Sequence, residues 1–208
     1  MTVKDSPAHE AHDSGAARTL PMLPTPNGVV FPDMVITIVL ETNDARAAVD
    51  NASDDHVVLV PKLGERFAAV GTIGKIEDRG TLPNGLPVLT VRATARARLG
   101  AGVVGTGSSL WVEAEPLDPP ITDGVVDLAR EYHALASRLI DLVGARRFGL
   151  ALPEVITPSA LADTIAYWPD LSLDQRVELL ETVELEDRLR LVIDWASDIV
   201  AELSLIHI

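Results

Sequence analysis

Two runs and the turn between them decide the fold: Ala68-Ala69-Val70-Gly71-Thr72-Ile73-Gly74-Lys75-Ile76-Glu77, then Pro83-Asn84-Gly85, then Val88-Leu89-Thr90-Val91-Arg92-Ala93-Thr94-Ala95-Arg96-Ala97. Asn-Gly supplies the positive φ angles of a type I′ turn. The spacing therefore predicts an antiparallel hairpin of Ala68 to Glu77 with Val88 to Ala97, with a longer loop around Arg79 to Leu86. Within the first run, Val70, Thr72, Gly74 and Ile76 alternate as a strand does, and glycines there permit close backbone approach. This hairpin is the expected spine of a β-rich unit.

Upstream, short β-branched runs separated by Gly, Pro and Asn read as further strands at Val29 to Phe31, Val35 to Leu40 and Val57 to Val60, and downstream at Leu110 to Glu115. Asn43 is the expected cap of a short helix through Asp50, with Asp44 near its positive end. Residues 1–18 have no periodicity and read as a mobile tail. The β-rich unit is assigned to residues 19–118.

Past Pro116-Leu117-Asp118-Pro119-Pro120 the apolar period becomes helical. Val125, Ala129, Tyr132, Leu135, Leu139 and Leu142 form one stripe, and Leu185, Leu189, Val192, Ala196, Ile199 and Leu203 another. Thr157-Pro158 reads as a cap followed by proline at the first helical position. Ser172-Leu173-Asp174-Gln175 fits a capping box. Four mutually packed helices are expected after residue 121, in a unit spanning 121–203. Residues 204–208 are a tail of undecided origin. The fold class is α+β, a β-rich subdomain followed by a helical bundle.

Composition narrows the functional classes. Mean hydropathy is +0.21 and charged residues make up 23%, values of a globular chain. No apolar run approaches the roughly 20 residues of a membrane span, and Met1 to Arg18 lacks the apolar core of a signal peptide. Seventeen Lys+Arg against 31 Asp+Glu leave a net charge of -14, which disfavours neutralising the phosphates of a nucleic acid. Without cysteine there is neither disulfide nor thiolate metal site. A soluble, cytoplasmic protein is expected.

Several stretches imitate catalytic motifs and miss a physical requirement. Gly100-Ala101-Gly102-Val103-Val104-Gly105 spells GxGxxG, but a dinucleotide turn needs a helix N-terminus to receive the pyrophosphate, and Thr106 to Pro116 reads as loop and strand. Gly71-Thr72-Ile73-Gly74-Lys75 lacks both the first glycine of a phosphate loop, since Ala69 stands there, and the magnesium-binding hydroxyl, since Ile76 follows the lysine. His9 and His12 do not have HExxH spacing, and His56, His133 and His207 stand alone. Ser108 and Ser109 sit in no GxSxG elbow. Glu113 and Glu115 share a strand face, the usual arrangement of a solvated face. No catalytic constellation, cofactor site or metal site emerges.

Three motifs, in order, carry a family resemblance. Leu20-Pro21-Met22-Leu23-Pro24 with Val29-Val30-Phe31-Pro32 comes first, then Val70-Gly71-Thr72-Ile73-Gly74-Lys75-Ile76. The third comprises Leu161-Ala162-Asp163, Gln175, Leu179-Leu180-Glu181-Thr182 and Arg188-Leu189. Together they cover about residues 18 to 203 and resemble the N-terminal region of ATP-dependent Lon proteases. The chain departs from that pattern at Val91-Arg92-Ala93 before Arg96, where the family usually has valine, glutamate and glycine. The connection from Val60 to Val70 is also shorter than is common, so substrate contacts of that loop elsewhere do not carry over.

The resemblance implies a PUA-like β-rich subdomain followed by helices, with no activity of its own. It would capture unfolded or degron-bearing proteins and support assembly with other Lon subunits into a hexamer. ATP and magnesium are expected only in the parent's ATPase module, and the Ser-Lys protease domain would likewise lie outside this chain. An alternative is a standalone binding module of the same type with no protease attached. Phe31 and Met34, flanking Pro32, are the candidate substrate contacts, since proline suggests a sheet edge or bend and methionine adapts to varied apolar partners.

Overall fold

The computed structural model describes residues 16–26, 28–104, 109–143 and 156–206. The first part is a β-barrel built from β1 (Arg18–Thr25), β2 (Val35–Val39), β3 (His56–Leu63), β4 (Arg66–Phe67), β5 (Val70–Thr81), β6 (Pro87–Val104) and β7 (Leu110–Pro116). Strands run in the order β1-β7-β6-β5-β3-β4, and β1 also pairs in parallel with β3, which closes the barrel. Among the described residues β2 pairs with β6 alone, antiparallel, with Val35 opposite Arg92 and Val39 opposite Val88.

The hairpin forms as its spacing predicts, from Val70 opposite Arg98 to Thr81 opposite Pro87. Its turn differs in type. Only Gly85 takes a positive φ, +83°, while Asn84 does not. Leu82 C=O accepts from Gly85 N–H and Leu86 C=O from Leu82 N–H, and Asn84 Oδ1 accepts from Leu86 N–H. That is a type I turn with proline at its second position, followed by a left-handed glycine. Gly71 and Gly74 do admit close approach: a Cβ on Gly71 would lie 2.8 Å from Leu59 O, and one on Gly74 2.6 Å from Val91 Cγ1.

The strand expected at Val29 to Phe31 lies instead upstream, at β1. Prolines 21 and 24 obscured it, and the topology explains why they are tolerated. β1 bonds to β7 through Arg18 to Pro21 and to β3 through Met22 to Thr25. Each half is bonded along one edge only, so a proline nitrogen can face the unbonded side. Residues 28–31 run as irregular backbone, held by Thr72 Oγ1 donating to Val30 O at 2.6 Å in the interior.

Helix α1 (Asn43–Asp50) is capped by Thr42, not Asn43. The Thr42 hydroxyl accepts from Ala45 N–H. The chain leaves the sheet at Pro116 and enters α2 (Asp123–Val143), followed by α3 (Pro158–Asp163), a 3₁₀ turn (Thr164–Tyr167), α4 (Leu173–Glu181) and α5 (Leu185–Ile206). Thr157 caps α3 with Pro158 in its first turn. Both bonds of the Ser172/Gln175 capping box are present at α4. The predicted stripes face one shared core: Val125, Tyr132 and Leu139 of α2 meet Leu189, Val192 and Ala196 of α5, with Leu161, Ile165, Leu179 and Leu180 between them.

Two further cores fill the β-rich part. Leu23, Val57, Leu59, Leu89 and Val91 form one beneath α1, and Val58, Val60, Ile73, Ala97 and Val112 form the other. Among the described residues no helix is long and apolar enough to cross a membrane.

Candidate functional site

The chemistry-bearing residues of the signature converge on the seam between barrel and helices. Arg96 projects from β6 into the seam, where it is 3% exposed. Its Nη1 and Nη2 donate to the two carboxylate oxygens of Asp163 at 2.7 and 2.5 Å, and its Nε donates to Leu180 O at 3.4 Å. The guanidinium also sits 5.5 Å from the centre of the Phe31 ring, within reach of a cation–π contact.

A second arginine enters from α5. Arg188 Nη1 is 3.7 Å from Asp163 Oδ1, and the Arg188 side chain is 1% exposed. Its Nε and Nη1 make no hydrogen bond. Burial, then the charge of Arg96, pull its pKa down to about 10, against the opposing pull of Asp163. Two buried cations thus share one carboxylate.

Around this triad, Glu181 of the signature and several neighbours bond backbone and side chains together. Glu181 Oε1 accepts from Ala69 N–H of the barrel at 2.7 Å. Arg176 donates to Ala166 O and Trp168 O. The Tyr132 hydroxyl lies 3.1 Å from Thr164 Oγ1, which itself donates to Leu161 O. Burial raises the Tyr132 pKa well above the ordinary phenol range. With its carboxylate held by two arginines, this arrangement fastens the barrel to the helices.

The two candidate contacts part company here. Phe31 is 1% exposed and belongs to the helical core, where it plugs the barrel into the bundle. It offers no surface to a partner, which corrects its assignment as a contact residue. The reason is that irregular backbone at residues 28–31 turns its ring inward beneath Arg96. Met34 is half-buried, spanning the helical core and the core beneath α1.

Outside the seam, the motif look-alikes resolve into ordinary structure. Gly100 to Val104 continue β6, with β7 and no helix next in the described chain. Lys75 is exposed on β5. His56 Nδ1 lies 2.7 Å from Asp54 O and His133 is exposed on α2, while His9, His12, His207 and Ser108 lie outside the described residues. Glu113 and Glu115 are exposed on β7, and Glu115 reaches Arg98 at 3.4 Å. At the departure before Arg96, Arg92 pairs with Glu77 of the neighbouring strand across an exposed face.

The seam's partnership was missed because its members lie far apart in sequence. One signal was available: Arg96 between alanines, and Asp163 between Leu161-Ala162 and Thr164-Ile165-Ala166, are charges in apolar surroundings, and buried charges need partners.

Residues 19–198 match the family described as the ATP-dependent protease La (LON) substrate-binding domain. The chain belongs to that family. It is 40% identical over 188 residues to a Lon protease of Salinispora arenicola and 38% over 190 residues to one of Mycolicibacterium smegmatis. These alignments take in 88% and 89% of this chain but 24% of each relative, so the chain spans about a quarter of their length. Among solved structures it is similar to the N-terminal domain of Mycobacterium avium complex Lon protease, with TM-score 0.76 and 36% identity over 87% of this chain and 99% of that one. The Lon N-terminal domain protein from Xanthomonas campestris shares the fold at TM-score 0.62 and 22% identity. The Lon substrate-binding domain is an α+β unit of an ATP-dependent protease, and its signature residues in this chain build the seam.

Proposed function

We propose that this Lon domain captures unfolded or degron-bearing polypeptides in the cytoplasm for an attached ATPase and protease, and contributes to assembly of the subunits into a hexamer. ATP and magnesium belong to the ATPase module in this reading, and the domain itself performs no chemistry. The family match supports the reading, and one structural observation carries it: the barrel is fastened to the helices by the buried Arg96–Asp163 pair, while an apolar row including Met34 stays half open beside that seam. A firmly held platform next to adaptable apolar surface suits weak contact with many sequences, because little ordering is lost on the platform side.

The test is a titration of the chain with one protein in two states, native and permanently unfolded by reduction and alkylation. Binding confined to the unfolded state is expected, weakened by Met34→Ser at unchanged fold. Equal binding to both states, or to neither, overturns it.

A further inference from the structure

The barrel closes around β1, β7, β6, β5 and β3, which among the described residues leaves β2 bonded on one side only. The register settles which backbone groups are spare. Ala93 N–H donates to Met34 O, and Leu40 N–H donates to Pro87 O. Antiparallel ladders alternate, so Ile36 and Ile38 direct both amide groups at β6, Met34 its C=O and Leu40 its N–H, while Val35, Thr37 and Val39 direct theirs away. Among the described residues, the outward N–H and C=O groups of Val35 and Thr37 have no backbone partner. Val39 C=O accepts from Glu41 N–H, which ends the edge.

Within the strand itself this edge carries no guarding residue. Val35-Ile36-Thr37-Ile38-Val39 is β-branched throughout, with no charge, proline or lysine to deter pairing. Its inner row is also incomplete. Ile36, Ile38 and Met34 pack on the core beneath α1 yet stay half-buried, and a further strand alongside would cover them. Val35 on the other face is 48% exposed. Exposed Asp33 and Glu41 stand at the two ends, about 26 Å apart at strand rise.

We propose that the free edge of β2 takes an extended segment of an unfolded polypeptide as an added strand, with a preference for β-branched residues bracketed by Lys or Arg. This rests on the substrate-binding reading above and gives it a mode. Backbone pairing is blind to side-chain identity, so one edge serves many sequences, provided the segment is unfolded and its own amides are unpaired. Native proteins are refused for the same reason. The acidic ends, in a chain of net charge -14, select basic flanks and disfavour a second copy of the chain on that edge.

The experiment uses the full chain and three synthetic versions of Lys-Val-Thr-Val-Thr-Val-Lys: unmodified, N-methylated at alternate backbone nitrogens, and N-methylated at all of them. A strand needs only one set of alternate amides to face β2. The first two should bind alike and the third about tenfold or more weaker, the loss of several amide hydrogen bonds. In parallel, Thr37→Pro removes an outward N–H without touching the β6 ladder, and should weaken the unmodified peptide and the unfolded protein together, while Thr37→Val should not. If all three peptides bind equally, strand addition is overturned, while binding of the unfolded protein keeps the substrate reading. If neither peptide nor unfolded protein binds, both fall. A dimer of the chain that dissolves on Thr37→Pro would assign the edge to a second copy and overturn the proposal. Should Thr37→Pro unfold, the peptide series on the unaltered chain decides.

Discussion

Asp163, the last residue of α3, holds both terminal nitrogens of Arg96, a residue of β6, although their side chains are only 6% and 3% exposed. Removing one partner of such a pair leaves the other charged and buried, which costs about 3–5 kcal/mol. Asp163→Asn is therefore expected to lower stability by that amount and the melting temperature by about 10 °C, measured by urea and thermal unfolding. A loss under about 1 kcal/mol would mean that the seam is open to water.

Arg188 should behave in the opposite way. Its Nε and Nη1 have no hydrogen-bond partner, and Asp163 is already engaged by Arg96. Replacing a buried charge by an apolar side chain of similar length removes a desolvation cost. Arg188→Met is expected to be neutral or stabilising, within about 1–2 kcal/mol. A loss as large as that of Asp163→Asn would show that Arg188 is an equal member of the network.

Phe31 and Met34 separate core from surface. Phe31→Ala empties a fully buried site and should cost about 3–5 kcal/mol, against about 1–2 for Met34→Ser at its half-buried position. Chemical denaturation reads both. Polypeptide binding should track Met34 and, in a folded sample of Phe31→Leu, stay at the level of the unaltered chain.

A hydrogen bond from Thr122, then one from Arg190, lowers the pKa of Glu186 at the start of α5. A carboxylate whose folded value is depressed contributes stability that is present above its ordinary pKa and lost as pH falls through the folded value. Thr122→Val should move the Glu186 titration, followed by NMR, upward toward its ordinary range, and soften the acid limb of the stability profile. An unmoved titration would discount the Thr122 bond.

Periodicity and local chemistry were enough for the hairpin, most strands, both helix stripes, the Thr157-Pro158 start and the Ser172/Gln175 box, because each depends on residues a few positions apart. The partners of a strand are another matter. β1, with Pro21 and Pro24, is a strand only because β7 and β3 each bond half of it, and Thr42 caps α1 because the backbone there, more than residue type, selects the cap. The site was half legible for the same reason. Asp163, Arg188 and Glu181 stood out as signature residues in sequence, but that they meet Arg96 was decided by folding, since Arg96 and Asp163 lie 67 positions apart and their attraction becomes strong only where the packed helices exclude water. Whether Phe31 or Met34 faces outward, and that β2 keeps a free edge, follow from how the barrel closes, which no local pattern encodes.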